Sequence, residues 1–75
     1  MSWGLTPQES RVAGLVLRGL TNRQVSAALS ISENTVQTHL GHIYTKLDVH
    51  SRSQLSARYF RDRFGSGLLD DSVTG

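Results

Sequence analysis

Between Ser32 and Leu47 the apolar positions recur at a helical period. Val36, Leu40, Ile43 and Leu47 fall at i, i+4, i+7 and i+11, which makes one stripe down one side of a helix. Asn34, Thr38, Gly41 and Thr45 take the opposite side, flanked by Gln37, Tyr44, His42 and Lys46. That side is small, polar and almost uncharged. A helix that only shields a core usually turns Glu and Lys outward. The pattern therefore predicts a helix over 33–47 whose outer face lies flat against something polar. The major groove of double-stranded DNA is the surface that fits this description.

Three further helices are predicted around it. Thr6-Pro7-Gln8-Glu9 opens the first, over 7–18, with Thr6 as N-cap, Pro7 at the first helical position and Glu9 placed to complete a capping box. Val12, Leu15 and Val16 form its inward stripe, and Gly19 stands where a helix-ending glycine is expected. Thr21-Asn22-Arg23-Gln24 repeats the capping box for a short helix over 22–29, expected to bury Val25, Ala28 and Leu29. Ser30-Ile31 is a tight connection pinned by Ile31, and Ser32 caps the helix over 33–47. Its free N–H groups, with the Ser32 and Thr35 hydroxyls, suit an anion such as phosphate. Asp48-Val49-His50 is a turn with Val49 buried. Ser51-Arg52-Ser53-Gln54 reads as a third capping box and opens a helix over 52–64.

That last helix has two apolar aspects. Leu55 and Tyr59 share one side, and Ala57, Phe60 and Phe64 share another, well over ~90° away on a wheel of ~100° per residue. So small a bundle buries one of them. Ala57, Phe60 and Phe64 either fold back over the first helix or meet a partner, most simply a second copy of the chain. Met1 to Gly4 reads as a ragged start. Residues 65–75 lack periodicity and are expected to be a disordered tail after a single domain over 1–64.

Composition narrows this reading without redirecting it. At 75 residues the chain has a marginal core, and without cysteine it depends on helix packing alone. The formal charge of +2 identifies no partner, but all eight cations precede Phe64 and seven of them are Arg, a residue suited to bidentate contact with phosphate or carboxylate. No stretch approaches the ~20 apolar residues of a membrane helix and no signal peptide opens the chain, which fits a cytoplasmic protein. His39, His42 and His50 lack Cys or clustered carboxylate partners, so no metal site and no cofactor are expected. Neither a strand–turn–helix elbow nor a glycine phosphate loop is present, so catalysis is not expected.

Two helices of about 8 and 15 residues on a short turn have helix-turn-helix proportions. From Leu5 to about Leu55 the chain resembles the LuxR-type (GerE-like) helix-turn-helix domain of bacterial transcription regulators. The resemblance is carried by Leu5-Thr6-Pro7, Glu9, Gly19-Leu20-Thr21-Asn22-Arg23, Val25, Leu29, Ile31-Ser32, Thr35-Val36, His39, Ile43, Lys46-Leu47, Val49 and Ser51-Arg52. It implies an all-α, compact four-helix domain that binds double-stranded DNA through the helix over 33–47. It also implies a homodimer formed through the fourth helix on an inverted repeat, and contact with RNA polymerase. The domain would stand at the C-terminus of a longer regulator, after a sensory, receiver or ATPase domain. Asn34, Gln37, Thr38, Gly41 and His42 would meet base edges. Thr21, Asn22, Arg23, Ser32, Thr35 and Lys46 would meet phosphates.

The chain departs from the family where Gln8 and Gln37 replace frequent cations, Ser26 replaces Ala, and Ala13 replaces a larger aliphatic residue. Gly41 stands where relatives can carry a long side chain. The reading face has lost charge, so affinity per monomer is expected to be modest. Glu9 either pairs with Arg52, tying the first helix to the fourth, or only completes its cap. His39 is expected to be a hydrogen-bonded structural histidine. The rival reading is a helical protein-interaction module that uses the Phe60/Phe64 side.

Overall fold

A computed structural model describes residues 3–65, excepting the side chains of residues 64 and 65. Four α-helices follow in order: α1 (Pro7–Leu17), α2 (Asn22–Leu29), α3 (Glu33–Leu47) and α4 (Arg52–Phe60). Arg61–Gly65 continues α4 as a π-helical turn. The described residues form an all-α domain. No helix among them is long and apolar enough to cross a membrane.

Each boundary has a local cause. Thr6 and Thr21 make complete capping boxes with Glu9 and Gln24, and Ser32 accepts the Thr35 N–H at 3.0 Å. Ser51 accepts the Gln54 N–H, but the Gln54 amide oxygen accepts from the His50 N–H, so the third capping box closes one residue early. The first three helices end alike. Gly19, Ser30 and Asp48 adopt positive φ, and the N–H of the apolar residue that follows each of them (Leu20, Ile31, Val49) returns to a carbonyl five residues back. Each ending thus drops an apolar side chain against the core just before the next cap.

α3 packs between α1 and α2, and α4 packs on α1. The core is Val12, Ala13, Val16, Val25, Val36, Leu40, Ile43, Leu47, Val49 and Leu55. Ala28 is not in it: that side chain is exposed, and Ser26 is buried instead, its hydroxyl donating to the Arg23 carbonyl at 2.7 Å.

Of the expected ragged start, Trp3 and Gly4 are held against the domain, and Met1 and Ser2 lie outside the described residues. Trp3 stands edge-on to Tyr59, with ring centroids 5.9 Å apart, and its indole N–H donates to Asp62 Oδ2 at 2.7 Å. Trp3, Leu5, Ala13, Gly14, Leu17 and Tyr59 line an apolar groove of about 240 Å³. Ala13 therefore leaves space that the Trp3 and Tyr59 rings border. The α-helical part of α4 ends at Phe60, and the π turn carries the helix on through the expected 64 to Gly65, the first residue of the expected tail. The remainder of the expected tail, 66–75, lies outside the described residues.

Candidate nucleic-acid interface

Four apolar side chains seat α3. Val36, Leu40, Ile43 and Leu47 are each no more than 5% exposed. Asn34, Gln37, Thr38, Gly41 and Thr45 are all exposed on the other side. Thr45 completes this face, although sequence reasoning left it out of the candidate site. The Thr38 hydroxyl donates to the Asn34 carbonyl at 3.1 Å, so its methyl is the part left for an external contact. At the N-terminus of α3, the Ser32 and Thr35 hydroxyls lie 2.9 Å apart and hydrogen-bond each other.

A second group forms where three helix starts converge. Thr21, Asn22, Arg23, Glu33 and Arg52, with Gly19 and Leu20, line an open depression of about 570 Å³. Arg52 is half-buried and donates to the Leu20 carbonyl at 3.0 Å and to Asn22 Oδ1 at 2.6 Å. A guanidinium only donates, so Asn22 must turn its oxygen to Arg52, which leaves its NH₂ as the outward group. Arg52 does not meet Glu9; of the two alternatives the α1–α4 ion pair is not formed, and Glu9 completes its cap.

Glu9 has other partners. It is 4% exposed, accepts from Lys46 Nζ at 2.7 Å and from the Thr6 N–H at 3.0 Å, and has His42 Nδ1 at 3.5 Å. Lys46 also donates to the Gly4 carbonyl at 3.3 Å. Lys46 and His42 therefore gather on the α1 flank of α3, around a carboxylate. Arg58 likewise serves the fold, donating to the Leu47 carbonyl at the end of α3 at 2.7 Å. Two of the seven arginines thus hold helix ends rather than face outward. His39 is half-buried and its Nδ1 is enclosed without a hydrogen-bond partner, so the hydrogen bond expected of this histidine is not made at that nitrogen.

The Lys46 ammonium, and then the Thr6 N–H, hold the Glu9 carboxyl below the usual glutamate range against the opposing effect of burial. The Trp3 indole, and then Arg58, lower Asp62 in the same direction. A carboxyl depressed in the folded state favours folding fully above its unfolded pKa, and that contribution fades as pH falls through the folded value. Thermal stability is therefore expected to drop as pH falls below about 4.3, the ordinary glutamate value. Melting curves of wild type and Glu9→Gln between neutral and acid pH should converge at low pH; parallel curves would assign the acid limb to other groups.

On α4, Leu55 is fully buried and Tyr59 half-buried under Trp3, whereas Ala57 is exposed and Phe60 is 60% exposed. Phe60 does not fold back over α1. Phe64, grouped with these two from the sequence, has its side chain outside the described residues. No cluster of three or more His, Cys, Asp or Glu that could hold a metal ion occurs among the described residues.

Comparison with known proteins matches residues 4–59 to the bacterial regulatory proteins of the luxR family. The chain is 52% identical over 54 residues to an HTH-type transcriptional regulator of Mycobacterium bovis, an overlap of 71% of this chain and 6% of that protein. It is 40% identical over 58 residues to an HTH-type transcriptional regulator of Streptomyces halstedii, covering 77% of this chain and 24% of that one. A nitrate/nitrite response regulator protein homolog of Haemophilus influenzae is 41% identical over 56 residues, 75% of this chain and 27% of its own. The chain thus spans a quarter or less of the first two relatives' length and little more of the third's.

Proposed function

The chain belongs to the luxR family of bacterial regulatory proteins, and from that membership we propose that it binds double-stranded DNA sequence-specifically as the output domain of a transcription regulator, with α3 in the major groove. The observation that carries this reading is the outer face of α3. Four exposed, small or amide side chains and Gly41 stand opposite a fully seated apolar stripe, with no charge among them. A base edge asks for hydrogen-bonding amides and short methyl-bearing side chains. Gln37 supplies a bidentate amide suited to adenine N6/N7, and Thr38 supplies a methyl suited to thymine.

Phosphates are held at two places. The Asn22 NH₂, oriented by Arg52, stands with Thr21 and Arg23 at one. The N-terminus of α3, with Ser32 and Thr35, forms the other, and there the paired hydroxyls retain one donor between them. Lys46 has three N–H donors and two are already engaged, so it offers a phosphate one. His42, beside Glu9, is a flank contact and not part of the reading face.

Two copies pair through the exposed side of α4, at Ala57 and Phe60, and set their α3 helices about 34 Å apart on an inverted repeat. Contact with RNA polymerase follows from the family resemblance, as does a sensory, receiver or ATPase domain ahead of this one in a longer regulator. The test is a titration of duplex DNA at rising salt, with log K expected to fall by roughly 0.9 per phosphate contact for each log unit of salt. A flat salt dependence would overturn the reading. Sedimentation of Phe60→Asp, with and without duplex, is expected to show loss of the paired species; an unchanged association state removes α4 from the interface and favours a module that binds another protein.

A further inference from the structure

Glycine in the middle of a helix destabilises it relative to alanine. Gly41 lies at the ninth of the fifteen positions of α3. Neither of the usual causes applies. Its φ is not positive, and a Cβ built on it meets no atom within 4 Å. Nothing within the domain, in backbone or in packing, requires a glycine here. It lies among Gln37, Thr38 and Thr45 on the exposed face. It also borders an open depression of about 400 Å³, shared with Tyr44, Thr45, Asp48, Val49 and His50.

We propose that Gly41 is a specificity-determining residue, whose missing side chain lets α3 seat closely enough for the short side chains around it to reach base edges. This rests on the DNA-binding reading and deepens it. Gln37, Thr38 and Thr45 are short or medium in reach, so a helix held off by one further carbon layer would lift them from the bases. The phosphate contacts at Asn22, Arg23 and Ser32 come from other elements or from the end of α3, and they tolerate that displacement better. The feature acts on sequence discrimination and not on general attraction to DNA.

Gly14 supplies the control. It also lies within a helix, in α1 and not in α3, has no atom within 4 Å of a built Cβ, and is exposed. Gly41→Ala and Gly14→Ala are both expected to raise Tm by roughly 4–8 °C. Binding is then measured on the tightest duplex selected from a random-sequence pool and on a scrambled duplex. Gly41→Ala should weaken the selected duplex roughly tenfold, an overpacking effect, and leave the scrambled duplex and the salt slope unchanged. Gly14→Ala should change neither affinity.

Stability and specific binding thus move in opposite directions at Gly41 alone. Wild-type affinity in Gly41→Ala, or equal loss on both duplexes, would overturn the proposal. Thr38→Asp is run beside it. If Thr38→Asp abolishes binding while Gly41→Ala is silent, only the role of Gly41 is lost. If the salt slope is flat and Thr38→Asp is silent, the DNA-binding reading itself fails.

Discussion

Replacing Thr38 with aspartate is expected to weaken binding to duplex DNA about a hundredfold, because setting like charges against each other at an interface costs several kcal/mol. The variant should stay folded. Thr38 is exposed in the middle of α3, and its one internal bond, from the hydroxyl to the Asn34 carbonyl, merely satisfies a donor that water would satisfy as well. An exposed Asp in a helix interior costs less than about 0.7 kcal/mol relative to the best residue. Circular dichroism and Tm should therefore track wild type while affinity collapses. Thr38→Val separates the parts of the side chain. It keeps the methyl and removes a hydroxyl that is already turned inward, so binding near wild type is expected. Full binding by Thr38→Asp would show that this face of α3 does not meet DNA.

The second large effect falls on stability. Leu55→Ala is expected to destabilise the domain by about 2–5 kcal/mol, the range for truncating a buried leucine. A domain of this size has a total stability of only about 5 kcal/mol or somewhat more. Leu55 is the one fully buried core side chain that α4 contributes. On either side of it along α4, Arg52 reaches the Leu20 carbonyl and Asn22, and Arg58 reaches the Leu47 carbonyl. Loosening Leu55 therefore loosens the arginines that close the α1–α2 turn and the end of α3. Chemical denaturation should show a large loss of midpoint for Leu55→Ala. Phe60→Ala on the exposed side of the same helix should shift the monomer by no more than about 0.5 kcal/mol. Equal losses at the two positions would mean that α4 is not anchored through Leu55.

The helix boundaries were legible because their causes are local. Thr6 with Glu9, Thr21 with Gln24, and Ser32 before Thr35 are separated by three residues, and Gly19 announces its own turn. The α3 stripe was legible for the same reason, since four apolar residues at helical spacing leave little choice of face. The pairings that cross the fold were not. Glu9 meets Lys46 across 37 positions, Arg52 meets Asn22 across 30, and Trp3 meets Asp62 across 59. Those depend on how helices cross, which a helical wheel does not contain. Glu9 and Arg52 were each marked as structural residues, yet the helix packing gave them different partners. Ala28 failed as a core residue because alanine sits equally well on either face of a wheel. The widened turn after Phe60 had no local signal. Of the candidate interface, the exposed, uncharged face of α3 was visible in the pattern. The orientation of Asn22 and the diversion of Lys46 and His42 toward Glu9 were set by tertiary contacts.

Trp3 is the sole tryptophan of the chain, which makes its contact with Tyr59 and Asp62 optically addressable. Its emission comes from an indole held edge-on to a phenol and bonded to a carboxylate on the turn that follows α4. Detaching the first residues from α4 would move that indole into water and change its colour and intensity. The domain therefore carries a built-in gauge of whether Trp3 stays docked on the helix proposed to pair two copies, and it can be followed without any attached label.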